Sequence, residues 1–183
     1  AGTGKRINVN EKNTPKCLLK INSKSILENQ ISLLQKNNIN DIVVITGPNN
    51  EKFDIKNLQY VHDSEHSKHD ILGSLMAAKN YICDDILILY SDILFESAVV
   101  KRLLESNADI SIVVDIDWQG YYVDRKDHPM AEAEKVIFNA NNDVLKIGKV
   151  LTNKNDVYGE FIGMLKFSAR GAEIFKKHFH RSK

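Results

Sequence analysis

Apolar residues recur along this chain with two periods, and they alternate. After Ser25, residues Ile26, Leu27, Ile31, Leu33 and Leu34 fall at helical spacing, so a helix is expected to about Asn37. Ser25 with Glu28 three residues on reads as a capping box at its start. The β-branched run Ile42-Val43-Val44-Ile45-Thr46, closed by Gly47-Pro48, reads as a buried strand, and Leu58 to Val61 as a shorter one. Ile71 to Tyr81 has helical spacing. Ile86-Leu87-Ile88-Leu89-Tyr90 is the most apolar run and is expected to be a central strand. A helix over 97–106 and a strand over 110–114 follow. The stretch 117–133 is polar and irregular, with aromatic residues inside it. Strands at 134–138 and 144–147 flank Asn141-Asn142-Asp143, a hairpin signal. A strand over 161–167 leads to a last helix, capped by Ser168 and running to about His178. Strands alternating with helices over short links predict an α/β fold: a three-layer α/β/α, Rossmann-like arrangement around a mostly parallel central sheet.

The chain has 183 residues, enough for one good-sized core. Its formal charge is +1, which gives no bulk attraction to nucleic acid. No apolar run approaches the roughly 20 residues of a membrane span, so no membrane partner is expected. No secretory signal is visible. Cys17 and Cys83 lack metal-ligand spacing and lie in apolar stretches. Both are expected to be buried and reduced, in keeping with a cytoplasmic setting.

The chemistry begins at the first residues. Ala1-Gly2-Thr3-Gly4-Lys5-Arg6 sets two glycines before two cations, and Thr14-Pro15-Lys16-Cys17-Leu18-Leu19 adds a lysine behind a proline. Backbone N–H groups can reach phosphate oxygens where no Cβ intrudes, while the cations neutralise charge. The string fails the P-loop pattern on spacing, and the dinucleotide fingerprint because Ile7 stands where the third glycine would fall. A glycine pair alone reads better as a turn or linker.

Asp92 directly follows the apolar run 86–90, and ligands of open α/β sheets gather beyond the carboxyl ends of strands. Mg²⁺ takes one or two carboxylates and completes its shell with phosphate oxygens and water. Asp92 therefore reads as its ligand, with a helix cap as the alternative. Lys16 is a point charge suited to a phosphate, or else a solvated cation. His62, His66 and His69 match one helical face only in part, so a zinc site is not the reading adopted. Asp117 with Trp118 suits a small cationic group. Arg125 and Lys149 suit a phosphate or phosphonate. The alternative for this block is a lid that packs its own aromatics.

The string A-G-x-G-x-R with P-K-x-L-L resembles the signature of the sugar-nucleotide pyrophosphorylase and cytidylyltransferase superfamily. The Asp115-Ile116-Asp117-Trp118 to Glu134-Lys135-Val136 block, with Gly159-Glu160-Phe161-Ile162-Gly163, resembles a subgroup. That subgroup is the 2-aminoethylphosphonate cytidylyltransferase-like domain, found alone or fused to phosphoenolpyruvate mutase in phosphonate biosynthesis. The resemblance implies nucleotide contacts from Ala1, Gly2, Thr3, Gly4, Gly73 and Ser74. It implies catalytic roles for Lys16, Arg6 and Asp92, with Mg²⁺ on Asp92. It further implies an acceptor site built by Asp117, Trp118, Arg125, Lys149 and Glu160. The expected reaction is transfer of CMP from CTP to a small phosphonate or phosphate, with a mutase as fused or partner protein and a homodimer allowed. Members begin with a strand before the glycine loop and carry a later acidic segment, so 1–183 is expected to be one domain lacking both. A sugar-phosphate or phosphocholine transferase and a non-catalytic nucleotide-binding module are the rival readings.

Overall fold

The computed structural model describes residues 14–125, 129–150 and 158–179. A short 3-10 turn, Lys16–Leu18, leads into strands β1 (Lys20–Ile21) and β2 (Lys24–Ser25). These form a two-residue hairpin in which Asn22 and Ser23 both take positive φ, at 51° and 76°. That is the geometry which matches strand twist. Helix α1 (Ile26–Lys36) follows at once. Its capping box is as expected: the Glu28 N–H donates to Ser25 Oγ at 3.1 Å, and the Ser25 N–H donates to Glu28 Oε2 at 2.6 Å.

Strands β3 (Val43–Thr46) and β4 (Gln59–His62) pair in parallel, joined by a crossover long enough to return the chain. Helix α2 (Ile71–Ala77) leads to β5 (Ile86–Leu89), then α3 (Ser97–Leu104) and β6 (Ile110–Asp115). The hairpin β7 (Lys135–Phe138) and β8 (Val144–Gly148) precedes β9 (Tyr158–Phe167) and α4 (Ala169–Phe179). In the turn of that hairpin, Asn139 Oδ1 accepts from the N–H groups of Asn141 and Asp143, each at 2.9 Å.

The α/β fold is as expected, but the strand expected at 161–167 departs from a parallel sheet. β9 has ten residues and runs antiparallel to β5, β6 and β7. It follows a hairpin rather than a crossover helix, and so enters the sheet in the reverse sense. Glu160 pairs with both Asp115 of β6 and Lys135 of β7, while Phe167 pairs with both Ile110 of β6 and Ile86 of β5. β6 therefore covers one edge of β9. β5 and β7 lie end to end along the other.

Side chains of β5 alternate between two helical layers. Ile86 and Ile88 join Leu75 and Met76 of α2 and Ala172 and Phe175 of α4. Leu87 and Leu89 join Val100 and Leu103 of α3 and Leu33 of α1. Lys166 is buried among them, and its ammonium donates to the carbonyls of Leu104 and Ser106 at the carboxyl end of α3, at 3.1 and 2.9 Å. That end carries partial negative charge. Leu27 and Ile31 of α1 pack instead on Val44 and Cys17, so one helix spans both strand pairs. Cys17 is buried as expected, but Cys83 is exposed because Ile82, at 2% exposure, takes the inward position. Among the described residues no helix is long and apolar enough to cross a membrane.

Between its pairing with β7 and with β5, β9 passes through Gly163 at φ +82°. A Cβ there would lie 2.3 Å from the Tyr90 ring. Gly163→Ala should therefore cost about 1–3 kcal/mol through overpacking, with strain at positive φ added. Urea unfolding measures this, and a variant as stable as the parent would show that the ring and strand can separate freely.

Candidate active site

Asp92 sits just beyond β5, where the sequence placed it. Lys16 comes from the 3-10 turn before β1, a distant part of the chain. The structure brings the two together: Lys16 Nζ lies 3.6 Å from Asp92 Oδ2. Their side chains are 33% and 41% exposed. An ion pair this open contributes little to stability, with a median near 0–1 kcal/mol. Both charges remain open to a ligand.

The supports of the pair are more buried than the pair itself. Cys17, next to Lys16, is buried, and its thiol lies near the Ser91 hydroxyl, next to Asp92. Burial pushes the thiol pKa up, the Ser91 hydroxyl opposes this, and the Asp92 carboxylate adds to the rise. Tyr90 precedes them. Its N–H donates to Gly163 O at 2.8 Å, and its ring meets Phe161 edge-on at 5.8 Å. Burial, with the carboxylates of Glu134 and Asp92 adding to it, pushes the Tyr90 hydroxyl up to about 12. The phenol stays neutral at ordinary pH.

Gly73 and Ser74 occupy the first turns of α2 and are both buried. Ser74 Oγ donates to Asp63 Oδ2 at 2.8 Å, while Asp63 Oδ1 meets His69 Nδ1 at 2.9 Å and accepts from the Glu65 N–H. Burial works against the Asp63 carboxylate, but the Ser74 and His69 bonds and the nearby imidazole outweigh it and hold its pKa down. A Cβ on Gly73 would touch the His69 ring at 3.0 Å, so the missing side chain seats that imidazole. His69 is thus tied to a buried carboxylate.

In the aromatic block, Trp118 is 1% exposed and packs edge-on against Tyr122 at 5.4 Å, with Tyr158 and Ala133 beside it. Tyr122 donates its hydroxyl to Glu160. Burial and that carboxylate push the phenol up to about 12. The Arg125 guanidinium lies 5.0 Å from the centre of the Tyr122 ring. Asp117 is exposed, and its N–H donates to Asp115 Oδ1. Lys149 is exposed too, and its carbonyl accepts from Lys135 Nζ at 2.7 Å. Tyr122, Arg125 and Glu160 are therefore one contiguous group, with Trp118 beneath them. Ala1, Gly2, Thr3, Gly4 and Arg6 lie outside the described residues.

Sequence reasoning missed Asp63, Cys17 and Gln30 as parts of this region. Gln30 carried a signal: it stands on the Leu27, Ile31, Leu34 stripe, where a polar residue is out of pattern.

Residues 1–143 match the family of MobA-like NTP transferase domains. The chain belongs to this family. It is thus a nucleotidyltransferase domain, and the resemblance read from its glycine loop and Pro15-Lys16 is upheld. A CTP:phosphoglutamine cytidylyltransferase of Campylobacter jejuni is 27% identical over 181 residues, covering 92% of this chain and 70% of that protein. A choline-phosphate cytidylyltransferase of Streptococcus pneumoniae is 32% identical over 110 residues, covering 58% of this chain and 48% of that one. Among solved structures, the inositol-1-phosphate CTP transferase from T. maritima superposes with a TM-score of 0.72 at 18% identity, covering 96% of this chain and 69% of its own. The CTP:phosphocholine cytidylyltransferase of Streptococcus pneumoniae gives 0.64 at 21% identity, covering 100% of this chain and 76% of its own. At such identities these superpositions speak for the fold.

For the transferase domain, the donor set at Asp92 fits a hard divalent cation. Mg²⁺ needs only one or two carboxylates from protein and takes the rest of its shell from phosphate and water. The half-exposed Asp92 can supply one such oxygen, and among the described residues no cluster of three His, Cys, Asp or Glu side chains forms an all-protein cage.

The raised phenols give a test in base. A pKa higher in the folded than in the unfolded state means that the native protein holds the proton more tightly. That stability is complete below the unfolded value near 10 and is lost as pH rises towards 12. Ultraviolet phenolate titration should show Tyr90 and Tyr122 ionising last, with Tyr90→Phe removing one late step. Ionisation of all phenols together near 10 would contradict the burial described.

Proposed function

We propose that this domain transfers CMP from CTP to a small acceptor bearing a phosphate or phosphonate, releasing pyrophosphate. The observation that carries the reading is the Lys16–Asp92 pair, 3.6 Å apart beyond the end of β5. A cation and a carboxylate held together yet half-exposed can each exchange its partner for a phosphate oxygen or a metal ion. The preference for CTP rests on the relatives named for CTP, which act on phosphoglutamine and choline phosphate.

In this reading an anionic oxygen of the acceptor attacks the α-phosphorus of CTP in line. The new P–O bond forms as the bond to the β-phosphate oxygen breaks, and pyrophosphate leaves with that electron pair. The attacking oxygen is already charged, so no general base is required. The protein contributes positioning and charge neutralisation. Lys16 holds an α-phosphate oxygen through the transition state. Arg6 and the backbone of Gly2 and Gly4 hold the departing phosphates. Mg²⁺, bound at Asp92, would offset negative charge on the triphosphate. Tyr122, Arg125 and Glu160 face the acceptor, Glu160 taking an ammonium or amide group and Arg125 the anionic end. A 2-aminoethylphosphonate-like acceptor has both features, as the Asp117 to Val136 block suggests. Phosphocholine and phosphoglutamine are the alternatives that the named relatives favour.

Asp92→Asn and Lys16→Ala should each lower kcat by about two to three orders of magnitude, the scale of an electrostatic transition-state contact. Circular dichroism should remain that of the parent. The substrate is tested by pyrophosphate release with Mg²⁺, crossing CTP, UTP, ATP and GTP against 2-aminoethylphosphonate, phosphocholine, phosphoglutamine and a hexose 1-phosphate. Release confined to CTP with one small phospho- or phosphono-acceptor supports the proposal. Release with UTP and the hexose phosphate moves the substrate, and no release with any pair favours a nucleotide-binding module.

A further inference from the structure

Gln30 is 5% exposed and lies on the core-facing stripe of α1. Burying a primary amide among Leu27, Ile31 and Leu34 is costly unless its hydrogen bonds are made. They are made to one short loop. Gln30 Nε2 donates to Tyr90 O at 3.0 Å and to Ile93 O at 2.7 Å. These two carbonyls bracket Ser91 and Asp92, so both N–H groups of the amide grip the backbone on either side of the carboxylate. On the sheet side the same loop begins with the Tyr90 N–H on Gly163 O, with the Tyr90 ring filling the space that Gly163 leaves open.

We infer that Gln30 is a positioning residue: from the buried face of α1 it fixes the backbone of 90–93, and with it the direction in which Asp92 presents its carboxylate towards Lys16. Three features carry this. The contacts are long-range, linking a helix to a loop about sixty positions away in sequence. They fall on both sides of Asp92 and on no other segment. And α1 is anchored independently, by its capping box and by packing on both Val44 and the α3 layer, so it provides a rigid reference for the loop. A glutamine spans this gap and supplies two donors. Leu or Met would fill the volume but remove the side-chain donors from two partly buried carbonyls. Displacement of a reacting group by about 1 Å can cost about 100-fold in rate, so the grip bears on turnover and not only on folding.

The kinetic arm of the test rests on the proposed CTP reaction; the exchange arm does not. In the whole chain, Gln30→Met is compared with Leu34→Val, a nearby core change on α1 that leaves the loop contacts in place. The inference expects Gln30→Met to lower kcat by about tenfold or more and to raise the Mg²⁺ concentration needed for half-maximal rate. It also expects amide hydrogen exchange to quicken at 91–94 beyond the change elsewhere in the protein. Leu34→Val should keep parental kcat and parental exchange at 91–94, even where its melting temperature falls as far. A Gln30→Met protein with parental kcat, Mg²⁺ dependence and loop exchange, showing only a lower melting temperature, would overturn the inference. If the parent turns over no CTP, the functional reading fails, and exchange at 91–94 alone decides for or against the clamp.

Discussion

The register of β9 is the constraint on which the rest depends. β6 covers one edge, and β5 and β7 share the other in tandem. Buried backbone groups require partners, so β9 cannot shift along one neighbour without breaking bonds to the other two. A slip of one residue would also turn β5 over, exchanging Ile86 and Ile88 for Leu87 and Leu89 between the two helical layers. The place where β5 ends is thereby set, and Tyr90, Ser91 and Asp92 leave the sheet from that place. Gly163 marks the gap between β5 and β7, and its lack of a side chain lets the Tyr90 ring close over it.

On that frame the site is built from weak charges held by strong supports. The Lys16–Asp92 pair is too open to matter for folding. The groups beside it are buried: Cys17 next to Lys16, and Gln30 on the carbonyls that flank Ser91 and Asp92. This division suits phosphoryl transfer. The charges must be free to meet substrate, yet must not reorganise while the transition state forms.

Much of the fold was legible because its signals are local. The Ser25–Glu28 capping box, the Ser168 cap of α4 and the hairpin turn at Asn141-Asn142-Asp143 each act within a few residues, and each forms as read. The place of Asp92 was legible because it directly follows the most apolar run, whereas its pairing with Lys16, from a distant part of the chain, was not. The antiparallel course of β9 was not, since strand direction depends on the connection and not on the strand's own residues. The hairpin at Lys20–Ser25 was missed because Asn22-Ser23 is a poor match to the usual glycine-containing turns. Cys83 looked buried by its apolar neighbours, but Ile82 holds the inward position and turns it out. Gln30 and Asp63 act on residues distant in sequence or around a loop, and only their misfit with the surrounding pattern hinted at a role. The aromatic block carried two readings. Trp118 packs within the block, as a self-packed lid would have it, while Arg125 and Glu160 remain on its Tyr122 face.

The most direct test of the central claim is a crystal structure with a non-hydrolysable CTP analogue and Mn²⁺, read by anomalous scattering. The account predicts a Mn²⁺ peak on the Asp92 carboxylate and the α-phosphate within hydrogen-bond distance of Lys16 Nζ, the two side chains now facing ligand as well as each other. A nucleotide bound elsewhere, with Lys16 and Asp92 still paired only to one another, would contradict it.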